Sequence, residues 1–263
     1  MKSFRRHWWK WLIVVLFLLI VLIYWYIRPY KPSEAALEAL KSDKDVTVSE
    51  ENQWILFEPK NPVQPSMIYY PGALVKPESY ATYAHAFAHA GHRTYIVKMP
   101  LNLAFLGSNR AASILAKKHN DETFVIGGHS LGGVMASRFA AAHASELSGV
   151  FFLASYPDSK GSLVSANLPV ISLIGSNDGE VKPDTYSKAK SYLPNTTEYH
   201  TIQGGNHSQF GSYGFQKGDK AANISAKEQL DETIQLLLNW EVATVNKGRE
   251  AAYRYRVGFH EQS

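Results

Sequence analysis

The sequence predicts an α/β fold in which a mostly parallel sheet is covered by helices on both faces. Short runs rich in β-branched and aromatic residues alternate with segments of helical periodicity, which is typical of this class. The chain has 263 residues and 45% hydrophobic content, enough to bury one large core. The predicted strands are 46–48, 54–57, 67–70, 95–99, 123–126, 150–153, 170–174 and 197–202. The predicted helices are 80–90, 111–119, 134–144, 185–192 and 226–242.

The composition excludes several kinds of site. There is no cysteine, so disulfides, thiolate metal sites and a cysteine nucleophile are all excluded. The formal net charge of +4 comes partly from four basic residues in the first ten, and no basic stripe interleaved with aromatic residues follows. Nucleic acid is therefore not an expected partner. The sequence does not define an oligomeric state.

The N-terminal region predicts a membrane anchor. Residues 11–27 carry no charge, and at about 1.5 Å per residue they nearly cross a hydrocarbon core of about 30 Å. Tryptophan and tyrosine residues flank this span on both sides, as at membrane interfaces. The basic residues before it predict a cytoplasmic segment 1–10, a single-pass helix 11–27 in the cell membrane, and an extracytoplasmic body. A cleaved signal peptide is the alternative, but no small-residue cleavage site follows directly.

The rest of the chain divides into three parts. Residues 28–45 are polar with a short helical pattern and predict a stalk, 46–246 form the α/β domain, and 247–263 form a C-terminal tail. Only about a dozen residues separate strands 150–153 and 170–174, which is too short for a helical lid domain. We therefore expect an open site, or one covered only by loops.

The sequence Gly128-His129-Ser130-Leu131-Gly132 lies between a predicted strand and a predicted helix. A G-x-S-x-G motif in that context places a serine on a sharp, strained turn, where glycines avoid collisions between strand and helix. The start of the helix directs its first amides toward the serine, where an oxyanion would form. Ser130 is therefore the predicted nucleophile. The alternative is a glycine-rich loop that only lets the helix pack on the sheet.

Two residues that follow in the chain complete the expected chemistry. A serine needs a base to take its proton, and the base needs an acid to orient it. Asp178 follows strand 170–174, and His207 lies in a glycine-rich loop after strand 197–202. The carboxyl ends of parallel strands share one edge of a sheet, so we predict that Ser130, Asp178 and His207 meet there. Asp158, after strand 150–153, is the alternative acid.

The oxyanion needs two amide donors. The first is predicted to be the N–H of Leu131, the residue after the nucleophile. The second is expected from the loop 70–74, with the amide of Ala73 preferred and that of Leu74 as the alternative. His129 fills the free position of the motif and is expected to line the entrance.

His85 and His89 have the i, i+4 spacing of a metal-binding pair on a helix. No third ligand and no carboxylate between them can be identified in the sequence. The expectation is therefore a pair on the helix surface, and no metal site or cofactor is predicted.

Four segments resemble a known family, namely 70–75 (YPGALV), 98–100 (KMP), 128–133 (GHSLGG) and 205–211 (GNHSQFG). They resemble a bacterial subgroup of the α/β-hydrolase superfamily related to dienelactone hydrolase-like proteins. The resemblance covers nearly all of 46–240 and implies a triad of Ser130, Asp178 and His207. Dienelactone hydrolases use a cysteine nucleophile, which this chain lacks, so their substrate is not carried over. Pro71 stands where many esterases have a histidine before glycine.

Together these features predict a membrane-anchored serine hydrolase that cleaves a small-molecule carboxylic ester through an acyl-enzyme. Thioesters, amides or peptides would use the same groups, and a non-catalytic binding module with this fold is an alternative from another class. Aromatic residues near the carboxyl edge of the sheet are expected to form an apolar acyl site. They are Phe105, Phe152, Tyr156 and Phe210.

Overall fold

The computed structural model describes residues 8–26, 28–118 and 122–241. The strands in these ranges are β1 (Val46–Glu50), β2 (Trp54–Pro59), β3 (Val63–Tyr70), β4 (His92–Val97), β5 (Phe124–His129), β6 (Gly149–Leu153), β7 (Val170–Gly175) and β8 (Glu198–Ile202). The α-helices are α1 (Trp8–Tyr26), α2 (Glu34–Glu38), α3 (Ala81–His89), α4 (Ala111–Leu115), α5 (Leu131–Ala142), α6 (Pro183–Ala189) and α7 (226–241).

The strands form one sheet in the order β1-β2-β4-β3-β5-β6-β7-β8. β1 and β2, and β2 and β4, pair antiparallel, and every other neighbouring pair is parallel. The mostly parallel sheet predicted from the sequence is confirmed. The chain passes from β3 to β4 on one side and then returns to place β5 on the other. Such a reversal opens a crevice beyond the carboxyl ends of the two strands.

Helices cover both faces of the sheet. Phe87 of α3 and Leu237 of α7 belong to one buried apolar cluster, whereas Ile114 of α4 and Phe139 of α5 belong to a second. All six residues of β5 are buried between these clusters. The strand that leads to Ser130 is therefore held on both faces, which gives the site a rigid base.

The boundaries of β4 differ from the prediction because polar residues are buried at its start. The strand begins at His92, not at Tyr95. Arg93 is buried there and donates from Nη2 to Glu58 Oε1 and from Nη1 to Glu122 Oε1, both at 2.7 Å. The two glutamates compensate for the cost of burying the charge of Arg93. Because they lie far from Arg93 in the sequence, local hydrophobicity does not predict that this position is buried.

The predicted membrane anchor falls on α1. Among the described residues, no helix combines the length and hydropathy needed to cross a membrane. The transmembrane part of the fold prediction is therefore not supported. The cytoplasmic segment 1–10 and the domain's C-terminal boundary fall largely outside the described residues, as does the whole predicted tail 247–263.

The segment 28–45, predicted as a stalk, packs on the domain. Tyr30 forms a parallel bridge with Val75, and its N–H donates to Leu74 O at 2.7 Å. Ala36 of α2 is fully buried. These contacts place the segment against the loop after β3, so it is part of the folded body.

The absence of a helical lid between β6 and β7 agrees with the prediction. Residues 154–169 are all described and carry only a 3₁₀ turn at Ser159–Gly161. The carboxyl edge of β6 is thus covered by a loop alone.

Candidate active site

Ser130 lies on the turn between β5 and α5, where the G-x-S-x-G motif places it. Its φ of 51° and ψ of −126° form a strained conformation that a non-glycine residue rarely adopts. A Cβ at Gly128 or Gly132 would overlap the carbonyl oxygen of Tyr70. Glycines at both positions therefore let the strand and the helix approach closely enough to hold the serine in this geometry.

The N-terminus of α5 supplies a polar environment for this serine. Leu131 is the first residue of the helix, which has 12 residues. The first amides of a helix have no partner within it, and the helix dipole adds partial positive charge there. The Leu131 N–H is thus available as a donor next to the Ser130 hydroxyl.

His207 is oriented by Asp178. The Nδ1 atom of His207 lies 3.0 Å from Oδ2 of Asp178, and both side chains are buried. An ionised carboxylate can only accept, so Nδ1 donates its hydrogen and the lone pair of the neutral ring is on Nε2. His207 Nε2 is itself buried and has no hydrogen-bond partner within the described structure.

Asp178 is in turn held by the backbone that follows it. Its Oδ1 accepts hydrogen bonds from the amides of Glu180 and Val181, each at 2.8 Å. The two carboxylate oxygens therefore have separate tasks, one fixing the loop and the other orienting His207.

Asp158, the alternative acid, does not contact His207. Its carboxylate pairs with Arg138 and accepts hydrogen bonds from the amides of Lys160 and Gly161 at 3.1 Å. The hydrogen bond from Arg138 is the main reason that the pKa of Asp158 is lowered. Asp158 caps a turn, and of the two acids only Asp178 bonds to the histidine.

Ser130, Asp178 and His207 follow β5, β7 and β8, so they lie at one edge of the sheet. His129 and His207, which have ring centroids 4.5 Å apart, join the serine turn to the histidine loop. No hydrogen bond connects Ser130 Oγ with His207 Nε2 in the described structure. Bonds of this kind often tighten only when substrate binds.

Asp219 supports the site and was not identified from the sequence. It accepts hydrogen bonds from the amides of Gly179 at 3.0 Å, His207 at 3.3 Å and Ser208 at 2.8 Å. Burial raises the pKa of Asp219, but the hydrogen bonds from Ser208 and from backbone amides outweigh it, so the pKa is lowered. Asp219 thus ties the loop of Asp178 to the loop of His207. It lies in an irregular stretch with no motif that would have revealed it.

The loop after β3 offers one unoccupied amide. The Gly72 N–H donates to the Tyr80 hydroxyl at 2.9 Å, and the Leu74 N–H donates to Asn102 O at 2.8 Å. The Ala73 N–H has no hydrogen bond within the described part of the chain. Of the amides of Ala73 and Leu74, only that of Ala73 is therefore free to donate to a ligand.

His129 does not line the entrance, in contrast to the expectation. Its side chain is fully buried, and its Nδ1 lies 2.9 Å from the Tyr80 hydroxyl. Burial holds the pKa of His129 well below its usual range, and a positive charge on the nearby His207 would lower it further. A neutral His129 can accept a hydrogen bond from Tyr80, which also accepts the Gly72 amide. The prediction was wrong because the turn directs this side chain inward, beneath the loop after β3.

A family model described as the alpha/beta hydrolase family matches residues 66–231, which is more than half of the chain. This chain belongs to the alpha/beta hydrolase family. The resemblance noted in the sequence is thereby confirmed at the level of the superfamily. No curated protein sequence gives a match.

Solved structures share the alpha/beta hydrolase fold of this chain. Est1E from Butyrivibrio proteoclasticus, with ferulic acid bound, has a TM-score of 0.56 at 15% identity, covering 77% of this chain and 98% of its own. A dienelactone hydrolase from Anabaena variabilis has a TM-score of 0.55 at 15% identity, covering 75% and 96%. A CIB-like hydrolase from Thermoplasma acidophilum scores 0.53 at 14% identity, covering 74% and 99%. At these identities the likeness shows the fold alone.

The four aromatic residues expected at the acyl site of this alpha/beta hydrolase differ in exposure, and Tyr156 is half-buried with its ring edge-on to Tyr186. Phe152 and Phe210 are fully buried in the apolar clusters and cannot contact a substrate in this conformation. Phe105 is 53% exposed and Leu101 is 69% exposed, both on the loop after β4. This loop also carries Asn102, which bonds to the amide of Leu74. Exposed apolar side chains are thus carried by a loop that is attached to the loop after β3.

A cavity of about 790 Å³ lies at the opposite edge of the sheet. Its lining includes Val125, Val170 and Glu198, which lie at or next to the amino ends of their strands, together with Glu241, the last described residue. Ligands of open α/β sheets bind at the carboxyl ends of strands. We therefore do not assign this cavity to the Ser130 site.

Away from this site, Asp43, His85 and His89 form a cluster in which one ligand atom of each lies within 4.8 Å of the others. The expectation of a histidine pair without a third ligand did not foresee Asp43. Its position follows from the packing of residues 39–46 against α3.

Proposed function

We propose that this chain is a serine hydrolase that cleaves carboxylic esters through an acyl-enzyme on Ser130. The single observation that carries the proposal is the orientation of His207. Asp178 holds its Nδ1–H, which leaves the Nε2 lone pair buried at the sheet edge where Ser130 lies, with no partner in the described part of the chain. An unpartnered buried polar atom is costly for stability, so a functional explanation is favoured.

In the acylation step, Ser130 Oγ attacks the ester carbonyl carbon as its proton passes to His207 Nε2. The carbonyl oxygen becomes an oxyanion, which accepts hydrogen bonds from the amides of Leu131 and Ala73. Each such donor stabilises the transition state by about 3 kcal/mol. The C–O bond to the alcohol then breaks, the alcohol leaves with the proton from Nε2, and the acyl group remains on Ser130.

In the deacylation step, a water molecule attacks the acyl carbon while its proton passes to His207 Nε2. The same two amides hold the second oxyanion. When the bond to Ser130 Oγ breaks, the proton returns from Nε2 to that oxygen and the carboxylic acid leaves. Asp178 remains ionised throughout and stabilises the imidazolium that forms in each step.

The exposed loop after β4 supports a substrate with an apolar acyl group. Leu101, Phe105 and Leu106 have exposed apolar side chains in this stretch of the loop. Because Asn102 binds the Leu74 amide, this stretch is anchored next to the proposed oxyanion donor. An acyl chain attached to the reacting carbonyl would extend along it and bury apolar surface, at about 25 cal/mol per Å².

The experiment is the hydrolysis of p-nitrophenyl esters of increasing acyl length by the full-length chain. Wild type should hydrolyse them, and Ser130→Ala should lose this activity. Phe105→Ala should raise KM more for esters with long acyl chains than for the acetate. Leu37 is an exposed apolar residue on α2, and Leu37→Ala should leave both KM values unchanged. If the wild type cleaves thioesters or anilides but not esters, the leaving-group part of the proposal fails. If it cleaves none of them, the catalytic function fails.

Attachment to the cell membrane remains part of this proposal. Its support is the uncharged sequence 11–27 and the exposed apolar side chains along α1, such as Trp11, Leu16 and Phe17. The segment around Tyr30 lies against the loop after β3. An anchor at 11–27 would therefore hold the active-site edge near the membrane, with residues 1–10 cytoplasmic and the domain extracytoplasmic.

Carbonate extraction of native membranes tests the attachment. The full-length chain should stay in the pellet, and protease added to intact cells stripped of their wall should digest the domain. Leu16→Lys with Leu19→Lys places two charges within the span and should release the chain. A wild-type chain found in the soluble fraction would contradict the anchor without affecting the catalytic proposal.

A further inference from the structure

Three polar side chains converge on the surface of the domain outside the Ser130 site. His85 and His89 lie one turn apart on α3, and their rings stack at 4.9 Å with an interplanar angle of 11°. Asp43 precedes β1 and directs one oxygen at both rings. Its Oδ2 lies 3.1 Å from Nε2 of His85 and 2.9 Å from Nε2 of His89.

The orientation of each side chain is fixed by its surroundings. His85 Nδ1 lies 2.6 Å from the carbonyl oxygen of Ala39, and its ring packs against Phe57 at 5.9 Å. Asp43 Oδ1 accepts hydrogen bonds from the amides of Asp45 and Val46, both at 2.8 Å. The remaining oxygen, Oδ2, is thereby directed toward the two histidines.

The hydrogen bonds of His85 indicate a positive charge between its Nε2 atom and Asp43. A carbonyl oxygen only accepts, so Nδ1 of His85 must donate to Ala39. In the neutral ring Nε2 then presents a lone pair to the carboxylate oxygen of Asp43, which also presents lone pairs. A proton on His85 Nε2 is one way to satisfy this pair. A divalent cation shared by the three atoms is another, and it accepts a lone pair from each of them.

We propose that Asp43, His85 and His89 bind a divalent transition metal ion, with Zn²⁺ the ion that fits best. Two imidazole nitrogens and one carboxylate oxygen form a ligand set that zinc uses, with water in the fourth position. With zinc about 2.0 Å from each atom, tetrahedral ligands lie about 3.3 Å apart. The observed N···O distances of 2.9 and 3.1 Å need to lengthen by a few tenths of an ångström. The two stacked rings must also tilt away from their near-parallel arrangement so that both Nε2 lone pairs meet at the ion.

The surroundings suit such a site. The Nδ1–H of His85 donates to a backbone carbonyl, an arrangement that orients histidine ligands in metal proteins. The side chains of His89 and Asp43 are 45% and 38% exposed, so an ion can enter and a water ligand has room. The site connects the chain before β1 to α3, and bound metal should therefore stabilise the folded state.

The test is a zinc titration of the full-length chain, expressed without a polyhistidine tag and stripped with EDTA. Calorimetry should show one saturable Zn²⁺ site per chain, and Zn²⁺ should raise the unfolding temperature. His89→Ala and Asp43→Asn should each weaken binding at least tenfold and abolish the rise in unfolding temperature. Asp43→Asn keeps an oxygen that can accept from Asp45 and Val46, so it tests the ligand with little loss of structure.

His143→Ala is the matched control, because His143 forms a half-exposed pair with Glu146 at 2.8 Å and has no second histidine. It should bind Zn²⁺ as tightly as wild type. The proposal is overturned if wild type shows no saturable site, if His89→Ala binds Zn²⁺ as tightly as wild type, or if His143→Ala abolishes binding. These measurements do not involve ester hydrolysis, so the proposal stands or fails independently of the function at Ser130.

Discussion

The Nδ1 atom of His207 lies 3.0 Å from Oδ2 of Asp178, and these side chains are only 2% and 4% exposed. Because both groups are shielded from solvent, the carboxylate fixes both the ring orientation and the tautomer of the histidine. The Nε2 atom is left with a lone pair and no hydrogen-bond partner among the residues that the structure describes. In the proposed mechanism this pair of residues supplies the base that Ser130 needs, in the tautomer that can accept its proton.

Replacing Asp178 by asparagine should abolish most activity without unfolding the protein. The amide oxygen can still accept from Glu180 and Val181, but the amide nitrogen donates to His207 Nδ1 and forces the hydrogen onto Nε2. We expect kcat for p-nitrophenyl acetate to fall about 10³- to 10⁴-fold. Asp158→Asn, which loses only the pairing with Arg138, should change kcat less than threefold. Equal losses in the two variants would contradict the assignment of the acid.

Tyr80→Phe tests the positioning of the loop after β3. This change removes the acceptor of the Gly72 amide and the hydroxyl next to His129, so the Ala73 amide should move. We expect kcat to fall about 10- to 100-fold and the free energy of unfolding to fall by about 1–3 kcal/mol. The substrate KM should change little, since the loss is in the transition state.

Tyr70→Phe is the control for that variant. The Tyr70 hydroxyl is also buried, accepts from the Ala111 amide at 3.1 Å and donates to Ser108 O at 2.7 Å. A similar loss of stability is expected, with kcat close to that of wild type. A comparable fall in kcat for both tyrosines would show that the effect of Tyr80 is structural only.

Asp219→Asn should loosen the two loops that hold Asp178 and His207. One of the two acceptor oxygens becomes a donor and opposes the amides around it. We expect a loss of about 2 kcal/mol in the free energy of unfolding, measured with urea, and a fall in kcat of about tenfold. Asp231→Asn, which breaks an exposed pair with Lys227, should change neither quantity measurably.

Much of the fold could be predicted because its signals are local. The strands and most helices follow from runs of apolar residues, and Ser130 follows from glycines that only a strand-to-helix turn requires. The order of Asp178 and His207 along the chain was informative because parallel strands bring their carboxyl ends together. These are properties of short segments and of topology.

The rest depended on contacts between distant segments. Asp43 reaches His85 across about forty positions of sequence, and Asp219 bonds to Gly179 across a similar interval. The inward direction of His129 depends on Tyr80, which no motif links to it. Pairs of this kind become visible only when the packing of loops on the sheet is known.

Glu241 gives the fold a pH-dependent stability. Burial raises its pKa from about 4.5 to about 8, and its Oε2 lies 3.2 Å from Nε2 of His92. The unfolded state loses this proton near pH 4.5, whereas the folded state keeps it until about pH 8. The protonated carboxyl group therefore contributes fully to the free energy of unfolding below pH 4.5. This contribution is lost as the pH rises to about 8, at about 1.4 kcal/mol per pH unit.

Glu241→Gln replaces the titrating carboxyl group by a neutral amide of similar shape. The stability of the variant relative to wild type, from urea unfolding at pH 5 and pH 9, should therefore increase by a few kcal/mol at the higher pH. Titrating groups that do not contact Glu241 cancel in this difference. A constant difference between the two pH values would contradict the raised pKa.

The central claim is that Ser130 is an activated nucleophile, and a fluorophosphonate probe tests it most directly. The full-length chain is labelled at neutral pH, and the modified residue is located by mass spectrometry of its peptides. We expect one adduct on Ser130 in wild type, strongly slowed labelling in Asp178→Asn and none in Ser130→Ala. A wild-type chain that never labels, or one that labels at another residue with Ser130 unmodified, would contradict it.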